Sequence, residues 1–444
     1  MDLKNKYPHY DKTKLAWAPE IPAGWHVRKL THAIGYTVGF TPESGNSLYY
    51  GDDFPWANIS DLGSRFLNET SKGITQEAVA KYRKRPTHAG SLLYSFKLSV
   101  GQVSFAGKEM FTNEAIASFS ESEWVHLPYF YYLAPLAIIQ NASENIYGAK
   151  ILNQEAIGNA KLIIPPIGEQ QAIARFLDFR TAQLDALIAK KEALLEKLAE
   201  KRTALISHAV AKGLDPSAPL KDSGVAWLGD VPAHWKISRI KFVARVGNGS
   251  TPSRDRSDYW ADGHFPWLNS SVVNQEEVTE SDQFVSDVAL KECHLPIIQP
   301  PAALIGITGQ GKTRGMASKL SVVATINQHL AYVKPLADEI GAGYLVYLFE
   351  RAYTFLRNES DGGGSTKGAI TCEQIANLQI PLPPLSEQVA IEAYVAGVLE
   401  RITEMSRKVS VAIAKLQEYR SALITNSVTG KIDVSGFSST KGPH

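Results

Sequence analysis

The chain has 444 residues, 44% hydrophobic and 20% charged, with a net charge of +1 at neutral pH. It is too long for one hydrophobic core, and its length predicts about two to four domains. The near-neutral balance counts against a nonspecific nucleic-acid binder, which needs a strongly basic domain, but leaves room for local basic patches. No apolar run approaches the roughly 18 residues of a membrane span, and Met1-Asp-Leu-Lys-Asn-Lys-Tyr7 has no signal-peptide character. Two cysteines, Cys293 and Cys372, offer neither a disulfide framework nor a metal spacing, so the cytoplasm is the expected compartment.

Residues 1–165 read as a mixed α+β domain of short strands and turns, with a strand at Ser91–Ser95 and a helix at Leu127–Ala137. Residues 166–215 form a long helix and a linker. Pro165-Pro166-Ile-Gly-Glu169-Gln170 opens an apolar-periodic run to Ile206; Gly213 stops it, and Pro216 and Pro219 prevent its resumption. Residues 216–383 repeat the mixed texture, with strands expected at Ala302–Ile307, Leu320–Ala324 and Leu378–Leu382 and a helix at Gly343–Leu356. A loop is expected from Asp361 to Gly368. Residues 384–434 form a second long helix, opened by Pro383-Pro384-Leu-Ser-Glu387-Gln388, and 435–444 a Ser/Gly/Lys-rich tail that frays.

The two halves are copies. Trp25 and Trp235 stand 210 residues apart (235 − 25 = 210), as do Trp17 and Trp227, Pro22 and Pro232, and Thr41 and Thr251. Phe54-Pro55-Trp56 meets Phe265-Pro266-Trp267 one residue later. Within the long helices the offset locks at 218 (384 − 166 = 218) from the Pro-Pro pair to Ile206 and Ile424. Loops tolerate length changes and packed helices do not, so the length of these rods matters. A heptad seam runs through Val395, Ile402, Val409, Leu416 and Leu423, with Leu177, Leu184, Lys191, Leu198 and Leu205 as its copy. A second row three residues on is expected at Val398, Met405, Ala412 and Tyr419, and at Arg180, Leu187, Leu194 and Lys201; Ile188 and Leu195 widen the first helix's apolar face. The fold class is therefore α+β: two pseudo-repeated mixed domains separated by two long coiled-coil helices whose copies can pack on each other.

Lys221-Asp222-Ser-Gly-Val-Ala-Trp227-Leu-Gly229-Asp-Val-Pro232-Ala-His-Trp235, the Pro-Pro-x-x-Glu-Gln openings and the Thr-Pro…Pro-Trp-x-Asn blocks resemble the specificity subunit of type I restriction-modification systems. The likeness covers nearly the whole chain. The first copy departs from it at Leu15-Ala-Trp17-Ala-Pro-Glu20, which puts that domain's opening strand in doubt. The resemblance implies two target-recognition domains, each reading half of a split duplex DNA site, and two long antiparallel coiled-coil helices that set the distance between the halves. It also implies docking sites for two methyltransferase subunits and for motor-nuclease subunits. The chain itself would bind no cofactor, since S-adenosylmethionine, ATP and magnesium belong to those partners. A helix of about 40 residues spans ~60 Å, the scale on which recognition modules are spaced, one DNA turn of ~34–36 Å or a multiple.

Lys81, Arg83, Lys84 and Arg85 form the sharpest basic cluster, suited to neutralising phosphates or reading guanine. Arg254, Arg256, Lys312, Arg314, Lys319 and Lys367 are the counterparts in the second domain, mostly in Gly/Ser/Thr-rich loops. The loop bearing Lys367 reads equally as a DNA approach or a surface connector. Glu169, Gln170, Glu387 and Gln388 suit a helix N-terminus, with partner docking as the alternative. Gly306-Ile-Thr-Gly-Gln-Gly311-Lys312-Thr313 fits the phosphate-loop pattern, which raises a nucleotidase with a coiled coil as a second reading. Such a loop must open a helix, whereas Arg314-Gly-Met-Ala that follows reads as turn and strand. A coiled-coil scaffold with no DNA role is a third. The scattered histidines form no metal spacing, and the Asn-Pro-Pro-aromatic motif of amino-methyltransferases is missing, so no catalysis is expected from the chain itself. Trp25, Trp56, Trp235 and Trp267 are expected in the core.

Overall fold

In the first half, strand His26–Lys29 pairs antiparallel with Lys161–Ile164, and the chain leaves that pair directly into the long helix Ile167–Lys212. The second half does the same, with Lys236–Arg239 against Gln379–Leu382 and then the long helix Leu385–Val428. These elements come from a computed structural model that describes residues 6–144, 150–336, 339–361 and 368–437. Two compact units emerge: residues 1–191 with 411–444, and residues 192–410. Each unit thus holds one mixed domain, the start of the helix that follows it, and the end of the other long helix.

The first unit contains a five-stranded sheet in the order Tyr36–Val38, Ile116–Phe119, Leu92–Ser95, Val103–Ala106, Phe66–Leu67. Its central strand carries no polar alternation because both faces are covered. Leu92 and Tyr94 enter the core beneath helix Leu127–Ala137, while Leu93 enters a smaller core on the other face. A three-stranded sheet stands apart, with Tyr50–Ala57 between Phe111–Thr112 and Lys72–Ile74. The doubted opening strand is present: Tyr10–Leu15 pairs with Ala18–Pro22, as Leu220–Asp222 pairs with Asp230–Pro232.

The second unit repeats this plan, with Ala244–Asn248, Leu330–Pro335, Ala302–Gly306, Ala317–Leu320 and Glu277–Val278 in that order. Ala303 and Ile305 face the larger core and Ala302 and Leu304 the smaller one. Leu320 ends its strand, so the strand expected at Leu320–Ala324 is not formed; Ala324 makes only an isolated bridge to Ile298. The helix expected at Gly343–Leu356 runs over Ala342–Asp361, which moves Asp361 out of the expected loop. All four expected core tryptophans are buried.

The long helices pair in opposite directions within each unit. In the first, Leu177 and Leu184 share a core with Leu423, Ile424 and Val428, and Arg420 donates to both Asp185 oxygens at 2.7 and 3.2 Å. In the second, Leu198 packs on Val398 and Ile402, and Ile206 and Val210 join Ile391 and Val395. The first seam row stands, but the second row lies four residues on rather than three. Thr181, Ile188, Leu195, Arg202 and Ala209 turn inward, and so do Leu399, Ser406, Ile413, Arg420 and Ser427. Of the expected row, Leu187, Leu194, Lys201, Met405 and Tyr419 are exposed, Arg180 and Ala412 keep partial cover, and Val398 is buried as expected. The rows alternate by three and four, and the leading row takes the position followed by the step of four.

Both rods end alike. Gly213 and Gly430 each adopt φ +71°, the left-handed turn that glycine takes without strain. A Cβ on Gly213 would sit 3.1 Å from the Trp235 ring, and one on Gly430 would overlap the Pro22 ring. Each rod therefore stops against the Trp/Pro corner that opens the mixed domain in its unit. No described helix is long and apolar enough to cross a membrane.

Candidate nucleic-acid interface

The three-stranded sheet of each unit supports one short helix and one sharp turn. Thr75 caps Gln76–Tyr82 through Ala78 N at 3.4 Å; Ser286 caps Asp287–Glu292 through Ala289 N at 3.3 Å. Both helices end on a non-glycine residue in the left-handed region soon after, Arg83 at φ +50° and His294 at φ +51°. One backbone device thus displays two chemistries. In the first unit the turn carries Lys81-Tyr82-Arg83-Lys84-Arg85; in the second it carries Glu292-Cys293-His294-Leu295-Pro296.

The first cluster is solvent-facing. Arg83, Lys84 and Arg85 are exposed and form no ion pair among the described residues. Lys81 donates to Tyr49 Oη at 2.7 Å and lies 4.7 Å from that ring; the hydrogen bond raises its pKa. Tyr82 stacks on Phe40 at 4.9 Å, which ties the turn to the local core.

The cations expected in the second unit separate by their surroundings. Arg314 is 3% exposed, its Nη1 is 2.8 Å from Asp361, and its carbonyl accepts from Arg357 at 3.0 Å. It pins a loop from inside, so it is corrected from a DNA contact to a structural residue. Arg256 grips both Asp258 oxygens at 2.8 and 2.6 Å and reaches Glu292 at 3.4 Å, which neutralises it. That grip holds Asp258 below the usual carboxylate range, while the bond from Tyr259 to Glu292 pushes the Tyr259 hydroxyl up to about 12. Lys319 pairs with Glu277 at 3.4 Å. Lys312 is exposed, and Lys367 lies outside the described residues.

Arg254 is held differently. Its guanidinium lies 3.6 Å above the Trp260 ring, and its Nη2 donates to Gln283 Oε1 at 2.7 Å. Sequence reasoning found Arg254 but missed its shelf. Trp260 falls where the first copy has Tyr50, while nothing in the sequence marks Gln283.

Glu169, Gln170, Glu387 and Gln388 are used inside the chain. Trp25 Nε1 donates to Glu169 and Trp235 Nε1 to Glu387, each at 2.9 Å. Gln170 donates to the carbonyls of Trp124 and Pro165 and accepts from His126 N; Gln388 repeats this with Glu339, Pro383 and Gly341 N. Both glutamines are fully buried, which leaves no surface for an outside partner there.

The repeat breaks where the five-stranded sheet meets the rods. In the first unit Arg65 fills this seam, 2.7 Å from Asp178 and 4.7 Å from the Tyr131 ring centre. Glu276 stands at the matching place in the second unit. There a cleft of about 1120 Å³ stays open between Arg202, Lys319, Tyr347, Glu350 and Leu399. The phosphate-loop pattern, Gly306 to Thr313, joins antiparallel strands Ala302–Gly306 and Ala317–Leu320. No helix follows it, so the dipole and amide cradle of a nucleotide site is missing. Among the described residues no three His, Cys, Asp or Glu side chains assemble as a metal cage.

The family model for the type I restriction modification DNA specificity domain matches residues 22–197 and again 232–411. The class is that of a specificity subunit, a non-catalytic component of a restriction-modification complex. This chain belongs to the type I restriction-modification DNA specificity family. It is 25% identical over 97% of its length, and 98% of the relative's, to a putative type I restriction enzyme MjaX specificity subunit of Methanocaldococcus jannaschii. It is 23% identical to the EcoR124I/EcoR124II specificity subunit of Escherichia coli over 42% of this chain and 45% of that one. Its fold is similar to a chain from a structural study of complex assembly in a type I R-M system, with a TM-score of 0.72, 16% identity, and 93% and 99% of the two chains covered. The HsdS subunit from Thermoanaerobacter tengcongensis aligns with a TM-score of 0.52 and 16% identity over 93% of this chain and 98% of that one.

Proposed function

We propose that this chain reads a bipartite, asymmetric duplex DNA site, one half with each mixed domain. It presents that site to two methyltransferase subunits and, where cleavage is carried out, to motor-nuclease subunits. S-adenosylmethionine, ATP and magnesium belong to those partners. The observation that carries the reading is the paired turn at Arg83 and His294: the same left-handed corner displays a basic cluster in one domain and an unlike set in the other. A duplicated enzyme site would keep its chemistry in both copies, whereas a duplicated reader of two different half-sites must change it.

Exposed cations without acidic partners suit phosphate neutralisation, where each contact releases a counterion. The rods supply a fixed length, because 44 and 46 helical residues at ~1.5 Å each resist compression. Two like rod-and-domain arrangements in one chain suit two identical partners, which would seat on exposed surface away from the buried joint glutamines. Methylated adenines mapped in the source genome with and without this gene test the reading. It expects one split motif to lose methylation, and co-purification with a methyltransferase at two to one. An unchanged methylome, with the chain purifying alone as an active enzyme, overturns it.

A further inference from the structure

We infer that Arg254 reads a guanine in the major groove, so that the half-site contacted by the second domain contains an obligatory G·C pair. This rests on the proposed DNA-reading function and goes beyond it by assigning a base.

A base-reading arginine must be rigid, undercharged by its neighbours and open along its edge. Arg254 meets all three conditions. The loop that bears it is pinned twice by indoles: Trp267 Nε1 donates to Ser250 O at 3.2 Å and Trp260 Nε1 to Ser253 O at 3.0 Å. Trp260 stands edge-on to the buried Trp267 with ring centres 5.2 Å apart, so the shelf is continuous with the core. The guanidinium carbon lies over that shelf, 3.6 Å from the Trp260 ring centre. Gln283 takes one of its N–H groups at 2.7 Å, and the backbone of Gln283 is fixed in turn by Trp267 N at 2.9 Å. No carboxylate lies within ion-pair distance of Arg254 among the described residues, whereas Arg256, two positions on, is spent on Asp258 and Glu292.

Of the five guanidinium N–H groups, one is committed to Gln283, and the contact with the indole face leaves the others for a base edge. A planar guanidinium with uncommitted donors fits the O6 and N7 acceptors of guanine and mismatches the N6 donor of adenine. A lysine or a loose arginine gives charge without this orientation. The matching positions in the first domain are Ser44, Tyr50 and Lys72, which cannot build the same fork, so the guanine belongs to one half-site only.

The test uses the complex of this chain with its methyltransferase partners and the target defined by genome methylation. Guanines in the target are replaced one at a time by 7-deazaguanine, which removes N7. The wild-type complex is expected to lose about tenfold to hundredfold in affinity at one position in one half-site. The Arg254→Ala complex is expected to be insensitive there, with an unchanged salt slope. Arg254→Lys should keep overall binding and lose the discrimination. Lys312→Ala serves as the contrast and should keep the discrimination. Specific binding by Arg254→Ala with the same 7-deazaguanine profile as wild type overturns the assignment and leaves the DNA-reading function standing. Binding with no sequence preference in the wild type overturns that function instead.

Discussion

Trp25 donates its indole N–H to Glu169 at 2.9 Å, across 144 residues of chain, and Trp235 does the same to Glu387. Each bond welds the first turn of a long rod to the corner that opens its mixed domain. The buried Gln170 and Gln388 complete the weld through three bonds apiece.

Gln170→Ala and Gln388→Ala should therefore each cost about 2–3 kcal/mol, because buried amide and carbonyl groups lose their partners. Trp235→Phe should cost less, about 1 kcal/mol, since Glu387 retains solvent and His234 at 2.7 Å. Urea unfolding followed by tryptophan fluorescence reads both.

The corrected seam makes a sharp contrast. Leu198→Ala and Ile402→Ala should cost about 2–4 kcal/mol each. Leu187→Lys and Leu194→Lys, at positions 42% and 40% exposed, should stay within about 0.5 kcal/mol. Thermal unfolding of the four variants checks it.

The offsets that lock along the rods made the helices legible, because a packed helix cannot absorb an insertion. Their second row was not, since leucines at 187 and 194 look like seam residues while the inward positions hold Thr181, Arg202, Ser406 and Arg420. Burial decides this, and sequence spacing by three or four does not. Likewise Lys312 and Arg314 read alike in the chain, yet only the latter turns inward toward Asp361. The Trp260 and Gln283 support of Arg254 is a tertiary arrangement with no local signature.

The rod ends should differ in tolerance. Alanine at either glycine pays about 1–2 kcal/mol for the left-handed backbone. Gly430→Ala should be worse than Gly213→Ala, because its methyl would overlap the Pro22 ring rather than brush Trp235 at 3.1 Å. Melting temperatures of the two variants should fall in that order.

Arg314 holds the Asp361 carboxylate below its ordinary pKa through a direct hydrogen bond. A depressed acid contributes stability above its unfolded pKa and loses it as pH falls through the folded value. Wild type should thus lose more stability than Asp361→Asn between about pH 5 and pH 2, and the two curves should converge at the acid end. Melting temperature against pH measures this.

The proposed function requires one chain to carry two unlike DNA readers, each taking one part of a split site. Selection of bound duplexes from a random library by the assembled complex, with wild type, a Lys81/Arg83/Lys84/Arg85 alanine variant and Arg254→Ala in parallel, addresses it most directly. A two-part motif with a constant spacer is predicted, with weakened binding and a shallower salt slope for the first variant. The second variant should relax one position in one half. A single continuous motif, a spacer that varies freely, or no motif at all would contradict the account.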